Sequence, residues 1–155
     1  MTIAVRLKTF LDANQVAYTW LTHPVTYTAQ AAAASLHVSG KEVAKTVVLR
    51  AGEETLLAVL PASHHVDLEK IGRLVGKSLR LASEQEFREL FPDCELGAIP
   101  PFGHLYNLPV YVDESLAADE EIVFSGGTHH DAVRMRYDDF ARLTKFRASS
   151  FAAKG

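Results

Sequence analysis

The sequence predicts an α+β fold. Its strand-like stretches are short, and several are joined by hairpin turns. Its helical stretches fall between blocks of strand instead of after every strand, as a doubly wound parallel sheet would require. With 155 residues, 48% of them hydrophobic and 23% charged, the chain can bury one genuine core.

The elements follow in order. Leu7, Phe10 and Leu11 recur at helical spacing, with Asn14 as a stop. Ala17–Leu21 alternates as a short strand that ends at His23–Pro24. Thr28 can cap an alanine-rich helix over Ala29–Leu36, broken at Ser39–Gly40. Glu42–Arg50 and Thr55–Pro61 form the clearest strand pair, turned by Ala51–Glu54. Asp67 can cap a helix whose Leu68, Ile71, Leu74 and Val75 make one apolar stripe. Ser83 and Glu86 have capping-box spacing ahead of Phe87 and Leu90. Leu108–Val112, Glu121–Ser125 and Ala132–Tyr137 read as strands. Asp138 can cap a last helix with Phe140 and Leu143 inward, and Ala148–Gly155 has no period and reads as a loose tail.

Composition narrows the function classes. A net charge of −3 argues against coating nucleic acid by bulk electrostatics, while leaving room for a local basic face. The single cysteine, Cys94, excludes an internal disulfide framework and any CxxC redox or zinc motif. Arg6 and Lys8 stand where a signal peptide would need an apolar run, and no apolar stretch approaches a membrane span, so a cytoplasmic protein is expected. There is no GxSxG elbow and no Walker A sequence.

Several residues could carry chemistry. Gly97–Ala98–Ile99–Pro100–Pro101–Phe102–Gly103 has neither charge nor hydroxyl. Its prolines fix φ and remove donors, so it is a stiff linker or the apolar wall of a site. Lys45 shares a strand face with Val43, Val47 and Leu49. It either snorkels to water near the strand end or is a cation held in a pocket. Gly126–Gly127–Thr128–His129–His130 is a glycine-rich turn or an anion nest beside a hydroxyl and two imidazoles. The histidines at 23, 37, 64, 65, 104, 129 and 130 show no HxxxH or HxH spacing, so no metal site is expected. Asp93 and Glu95 flank Cys94 and would raise its thiol pKa, against a thiolate nucleophile. Lys70, Arg73 and Lys77 form a basic stripe, either a solvated helix face or a phosphate-backbone contact.

Three of these pieces together carry a resemblance: Val43–Ala44–Lys45–Thr46–Val47–Val48, Gly97–Ala98–Ile99–Pro100–Pro101, and Phe124–Ser125–Gly126–Gly127. The chain resembles the YbaK/prolyl-tRNA synthetase-associated editing domains, a family of aminoacyl-tRNA deacylases, from about Val5 to Leu143. The resemblance implies a single editing domain over residues 1–147, with 148–155 as a flexible C-terminal tail. It also implies a mixed, mostly antiparallel, partly closed and barrel-like sheet with helices around it. It further implies trans-editing: hydrolysis of the ester of a mischarged tRNA, tRNAPro or a related one, releasing amino acid and free tRNA without a cofactor or metal. The expected partners are the acceptor end of aminoacyl-tRNA and an aminoacyl-tRNA synthetase, with no membrane.

On this basis Lys45, Gly97, Gly127 and His129 are the expected catalytic residues. His23, Tyr27, Ile99, Pro100, Pro101, Phe102, Gly126 and Thr128 are expected to bind substrate, with Pro100, Pro101 and Phe102 as a size filter. The Thr128–His129–His130 run departs from the small or basic residues usual after the double glycine of such proteins, which leaves the amino acid open. The competing expectations are a non-catalytic module that recognises aminoacyl-tRNA, a nucleotide or a partner protein, and a metal-dependent hydrolase.

Overall fold

The computed structural model describes residues 5–154; residues 1–4 of the expected domain and Gly155 of the expected tail lie outside the described residues. The elements are α1 (Val5–Ala13), β1 (Tyr18–Thr22), α2 (Ala29–Ser35), β2 (Ala44–Ala51), β3 (Glu54–Pro61), β4 (His64–Val66), α3 (Leu68–Val75) and β5 (Arg80–Leu81). They continue with α4 (Glu84–Phe87), β6 (Val110–Asp113), β7 (Glu121–Ser125), β8 (Asp131–Arg136), α5 (Tyr137–Leu143), β9 (Arg147–Ser149) and β10 (Ala152–Lys154). Short 3₁₀ turns precede and follow β6.

The strands form a five-stranded sheet in the order β5-β2-β3-β6-β9, a three-stranded sheet β1-β8-β7 and a two-stranded ribbon β10-β4. The β2–β3 hairpin is in the register that pairs Lys45 with Leu60 and Ala44 with Pro61. The pairs β3–β6 and β6–β9 are parallel and the rest antiparallel. The α+β class and mixed sheet therefore hold, but the barrel-like closure does not. Among the described residues one isolated bridge, Val43 with Val123, links the two larger sheets, and neither sheet closes on itself.

The central strand β3 is buried on both faces, which its nearly continuous apolar run requires. Leu57 and Val59 face a core shared with Leu7 and Leu11 of α1, Phe124 of β7, Val133 of β8 and Phe140 of α5. Leu56, Ala58 and Leu60 face the opposite core, closed by Ile71 of α3 and by Phe151. Thr28 and Asp67 cap α2 and α3 through their side chains as expected. Asp138 does not cap the last helix, which begins one residue before it with Arg136 as N-cap.

The C-terminal tail is also corrected. β9 pairs with β6 and β10 with β4, and Phe151 between them is 0% exposed. No periodicity announced this because the anchor is a single phenylalanine and a carboxylate far away in sequence. Asp113 is 3% exposed, and its Oδ1 accepts the Phe151 and Ala152 N–H groups at 2.9 Å each. Its Oδ2 accepts the Ser115 N–H at 3.1 Å and the Ser115 hydroxyl. Burial pushes this carboxyl up, but the hydrogen bonds from Ser115, Phe151 and Ala152 outweigh it and hold the group below its ordinary value.

Asp113→Ala should lower stability by about 3 kcal/mol in urea denaturation, because buried donors left unpaired cost ~1–3 kcal/mol each. Hydrogen exchange at Phe151 and Ala152 should accelerate in the same variant. The sign for pH follows from a lowered folded pKa. The contribution is complete above about pH 4 and is lost as pH falls through the lowered value.

Candidate functional site

A cavity of about 570 Å³ opens at the Val43–Val123 bridge between the two larger sheets, with both valines on its lining. Its walls come from the segment after β1, the start of α2, the first residues of β2, the β3–β4 turn, the end of β7 and the turn into β8. Gly97 and Ile99 close one side.

Lys45 stands on this wall. It is half-buried, and among the described residues it has neither a hydrogen bond nor a salt bridge. Burial lowers its ammonium pKa. The strand face that also buries Val47 and Leu49 desolvates the amine, and the cavity gives it its opening. An uncompensated cation in such a place is suited to an anionic or carbonyl ligand.

The loops opposite are fixed by two carboxylates. Glu95 donates its N–H to the Gly127 carbonyl at 2.7 Å, and its Oε1 accepts the His129 N–H at 2.7 Å. The buried Asp131 accepts the Thr128 hydroxyl at 2.6 Å on Oδ2 and the Trp20 indole N–H at 3.0 Å on Oδ1. The segment after β1 is tied to the same turn: the His23 N–H donates to the His130 carbonyl and the Thr26 N–H to the His129 carbonyl, both at 2.9 Å. Gly97 (φ +88°) and Gly127 (φ +104°) adopt left-handed backbone that a side chain would strain. Among the described residues the N–H groups of Gly97, Gly127 and Thr128 have no intramolecular acceptor. Gly126 N–H, by contrast, donates to the Asp131 carbonyl, and Ala98 N–H to that of Glu95.

The structure thus brings Lys45, Gly97, Ile99, His23, Tyr27, Thr128 and His129 to one cavity. It does not bring Pro100, Pro101, Phe102 and Gly126 to it. Phe102 is 0% exposed and packs on Phe10, Phe124 and Phe140, so the size-filter expectation for it is corrected. Pro100 and Pro101 are buried beside it. Gly126 lies under the Trp20 indole, where a Cβ would come within 3.0 Å, and its N–H is committed. Gly127 is behind the lining, held through its carbonyl. Cys94 sits away from the cavity, and burial pushes its thiol up to about 12.

The basic stripe is on another face. Arg73 pairs with Glu69 at 3.7 Å and Lys77 with Glu54 at 2.6 Å, leaving Lys70 as the stripe's cation without an acidic partner among the described residues. Among those residues no three of His, Cys, Asp and Glu converge as a metal-binding group.

Sequence reasoning passed over Thr46, Ser63 and the role of His64 and His65 in the lining, as well as the clamps Glu95 and Asp131. One signal was available for the turn residues. Once the hairpin turn is placed at Gly52–Glu53, its register sets 62–65 beside the residues just before Lys45. No signal in the chain pairs Trp20 with Asp131.

Comparison with known proteins matches this architecture. The family model for the aminoacyl-tRNA editing domain matches residues 23–143. The prolyl-tRNA ligase of Bacillus cytotoxicus is 30% identical over 86 residues, and that of Bacillus cereus strain AH187 27% identical over 86. Each match takes 55% of this chain and 15% of the ligase, so the chain corresponds to a small part of those proteins. A solved structure described as a candidate trans-editing enzyme for prolyl tRNA synthetase superposes with a TM-score of 0.85 at 29% identity, over 97% of this chain and 96% of that one. The hypothetical protein APE2540 shares the fold, with a TM-score of 0.86 at 23% identity over 96% and 99%. Since the family model runs from the first cavity residue, His23, to the last residue of α5, Leu143, this chain belongs to the aminoacyl-tRNA editing domain family.

Proposed function

We propose that this chain is a trans-editing deacylase that hydrolyses the ester of a mischarged tRNA, of which tRNAPro is the first candidate. The observation that carries the reading is the unpaired, half-buried ammonium of Lys45 on the wall of a cavity whose other side offers free backbone N–H groups. The match to parts of prolyl-tRNA ligases, and to a structure described as a candidate trans-editing enzyme, supports tRNAPro and association with a synthetase.

An aminoacyl ester is already reactive, so positioning and charge stabilisation are the main tasks. In the proposed step a water attacks the ester carbonyl carbon. The carbon–oxygen bond to the terminal ribose breaks, and the ribose oxygen leaves with the proton given up by the water. Amino acid and free tRNA result. Lys45 holds the carbonyl or the terminal phosphate as a point charge. The Gly97 and Thr128 N–H groups, both from residues on the lining, serve the developing oxyanion, and the left-handed backbone of Gly127 directs the turn that carries Thr128. His129 hydrogen-bonds the substrate or the water, and the neighbouring ribose hydroxyl of the tRNA assists. Selection by size falls to Ile99 with Val123, Phe124 and Ala132, which line the cavity where the prolines do not.

Lys45→Ala should fold and lose deacylation by about a hundredfold or more in kcat/KM on a panel of correctly and incorrectly charged tRNAs. Normal turnover by the folded variant would sink this mechanism. Charged tRNA bound tightly with its ester intact would make the chain a binding module instead.

The proposed phosphate contact of the stripe now rests on Lys70. Lys70→Glu should weaken tRNA binding and flatten the salt dependence of log K by about one ion. An unchanged slope returns α3 to a solvated face.

A further inference from the structure

We propose that Tyr27 and His129 form a stacking platform for an unpaired nucleobase at the mouth of the cavity. Tyr27 is 75% exposed, among the few large hydrophobic side chains left open in the described residues, and Val25 on the same segment is another. The Tyr27 and His129 rings lie against each other with centroids 4.8 Å apart and planes at 50°, and both line the cavity. Neither the Tyr27 hydroxyl nor the His129 ring has a hydrogen-bond partner among the described residues. The two rings pack on each other, and no side-chain hydrogen bond among the described residues ties either one elsewhere.

The platform is also pre-set. Thr26, the residue before Tyr27, donates its N–H to the His129 carbonyl, and the His129 N–H is clamped by Glu95. The two rings sit on segments joined by these bonds, so little ordering remains when a ligand arrives. One side of Tyr27 meets His129 and the rest of the ring is open to solvent. Aromatic faces of this kind take single-stranded bases by stacking, without reading their hydrogen-bonding edges. Lys45 and Gly97 lie on the same cavity, so a base held at the mouth leaves the linked ester to reach inward. The identity of that base, the terminal one of the tRNA, rests on the deacylase function proposed above; the stacking geometry does not.

The test uses the trinucleotide CCA as probe, titrated by NMR into the full chain, with Tyr27→Ala and Tyr27→Trp beside wild type. Loss of the stack should raise Kd for CCA about tenfold in Tyr27→Ala, and the tryptophan variant should stay within about twofold of wild type. On the charged tRNA that wild type turns over best, Tyr27→Ala should raise KM by a similar factor and leave kcat unchanged. Equal CCA binding by wild type and Tyr27→Ala overturns the platform, as does absence of CCA binding to wild type. A loss of kcat with CCA binding unchanged also overturns it, because Tyr27 would then act on the reaction and not on the base. If wild type binds CCA through Tyr27 but turns over no charged tRNA, the deacylase function fails and the platform stands.

Discussion

The backbone bond from the Val123 N–H to the Glu42 carbonyl, 2.9 Å long, marks the one bridge between the two larger sheets among the described residues, and the cavity opens beside it. Two twisted sheets pinned at a single point separate on either side of the pin. Phe102 and Phe140 belong to the main core, Phe124 reaches both that core and the cavity, and the first residues of β2 run along the cavity wall. A sheet closed by full pairing would have placed Val43 to Thr46 inside a continuous ladder and left no cleft.

Around this cleft the chain places its polar groups by a division of labour. The buried Asp131 and the exposed Glu95 are both consumed by the loops they hold: Thr128, Trp20 and His129 all donate to them. Among the described residues Lys45 receives no such partner. A carboxylate beside that ammonium would have offset its desolvation and also blocked it from a ligand. Burial lowers its pKa, and no carboxylate among the described residues offsets that desolvation.

The Gly97–Gly103 stretch splits in two in the structure. Gly97 and Ile99 reach the cavity, while Pro100, Pro101 and Phe102 turn into the core. The prolines stiffen the stretch from behind, so the wall is held by packing instead of by polar contacts. The apolar part of the cavity wall therefore comes from several elements, Ile99 with Val123, Phe124 and Ala132.

The sequence by itself determined the α+β class, the β2–β3 hairpin and its register, and the caps Thr28 and Asp67. It also marked Lys45 as a charge among aliphatics and Gly97 as one end of a stiff, uncharged stretch. Each of these is a local property: periodicity, turn chemistry, or a charge among aliphatics, readable within a window of a few residues. Only the tertiary structure decided that, among the described residues, the sheets meet at one bridge and do not close. Only it showed that Asp113 ties down the C-terminal strands across 38 residues, that Asp131 joins Trp20 across 111, and that Phe102 faces the core. These are long-range contacts, and no local pattern encodes which distant partner a buried carboxylate or aromatic will find. Tyr27 shows the boundary between the two. Its type is visible in the chain, but its exposure over His129 at the cavity mouth arises only when the Thr26–His129 bond brings the two segments together.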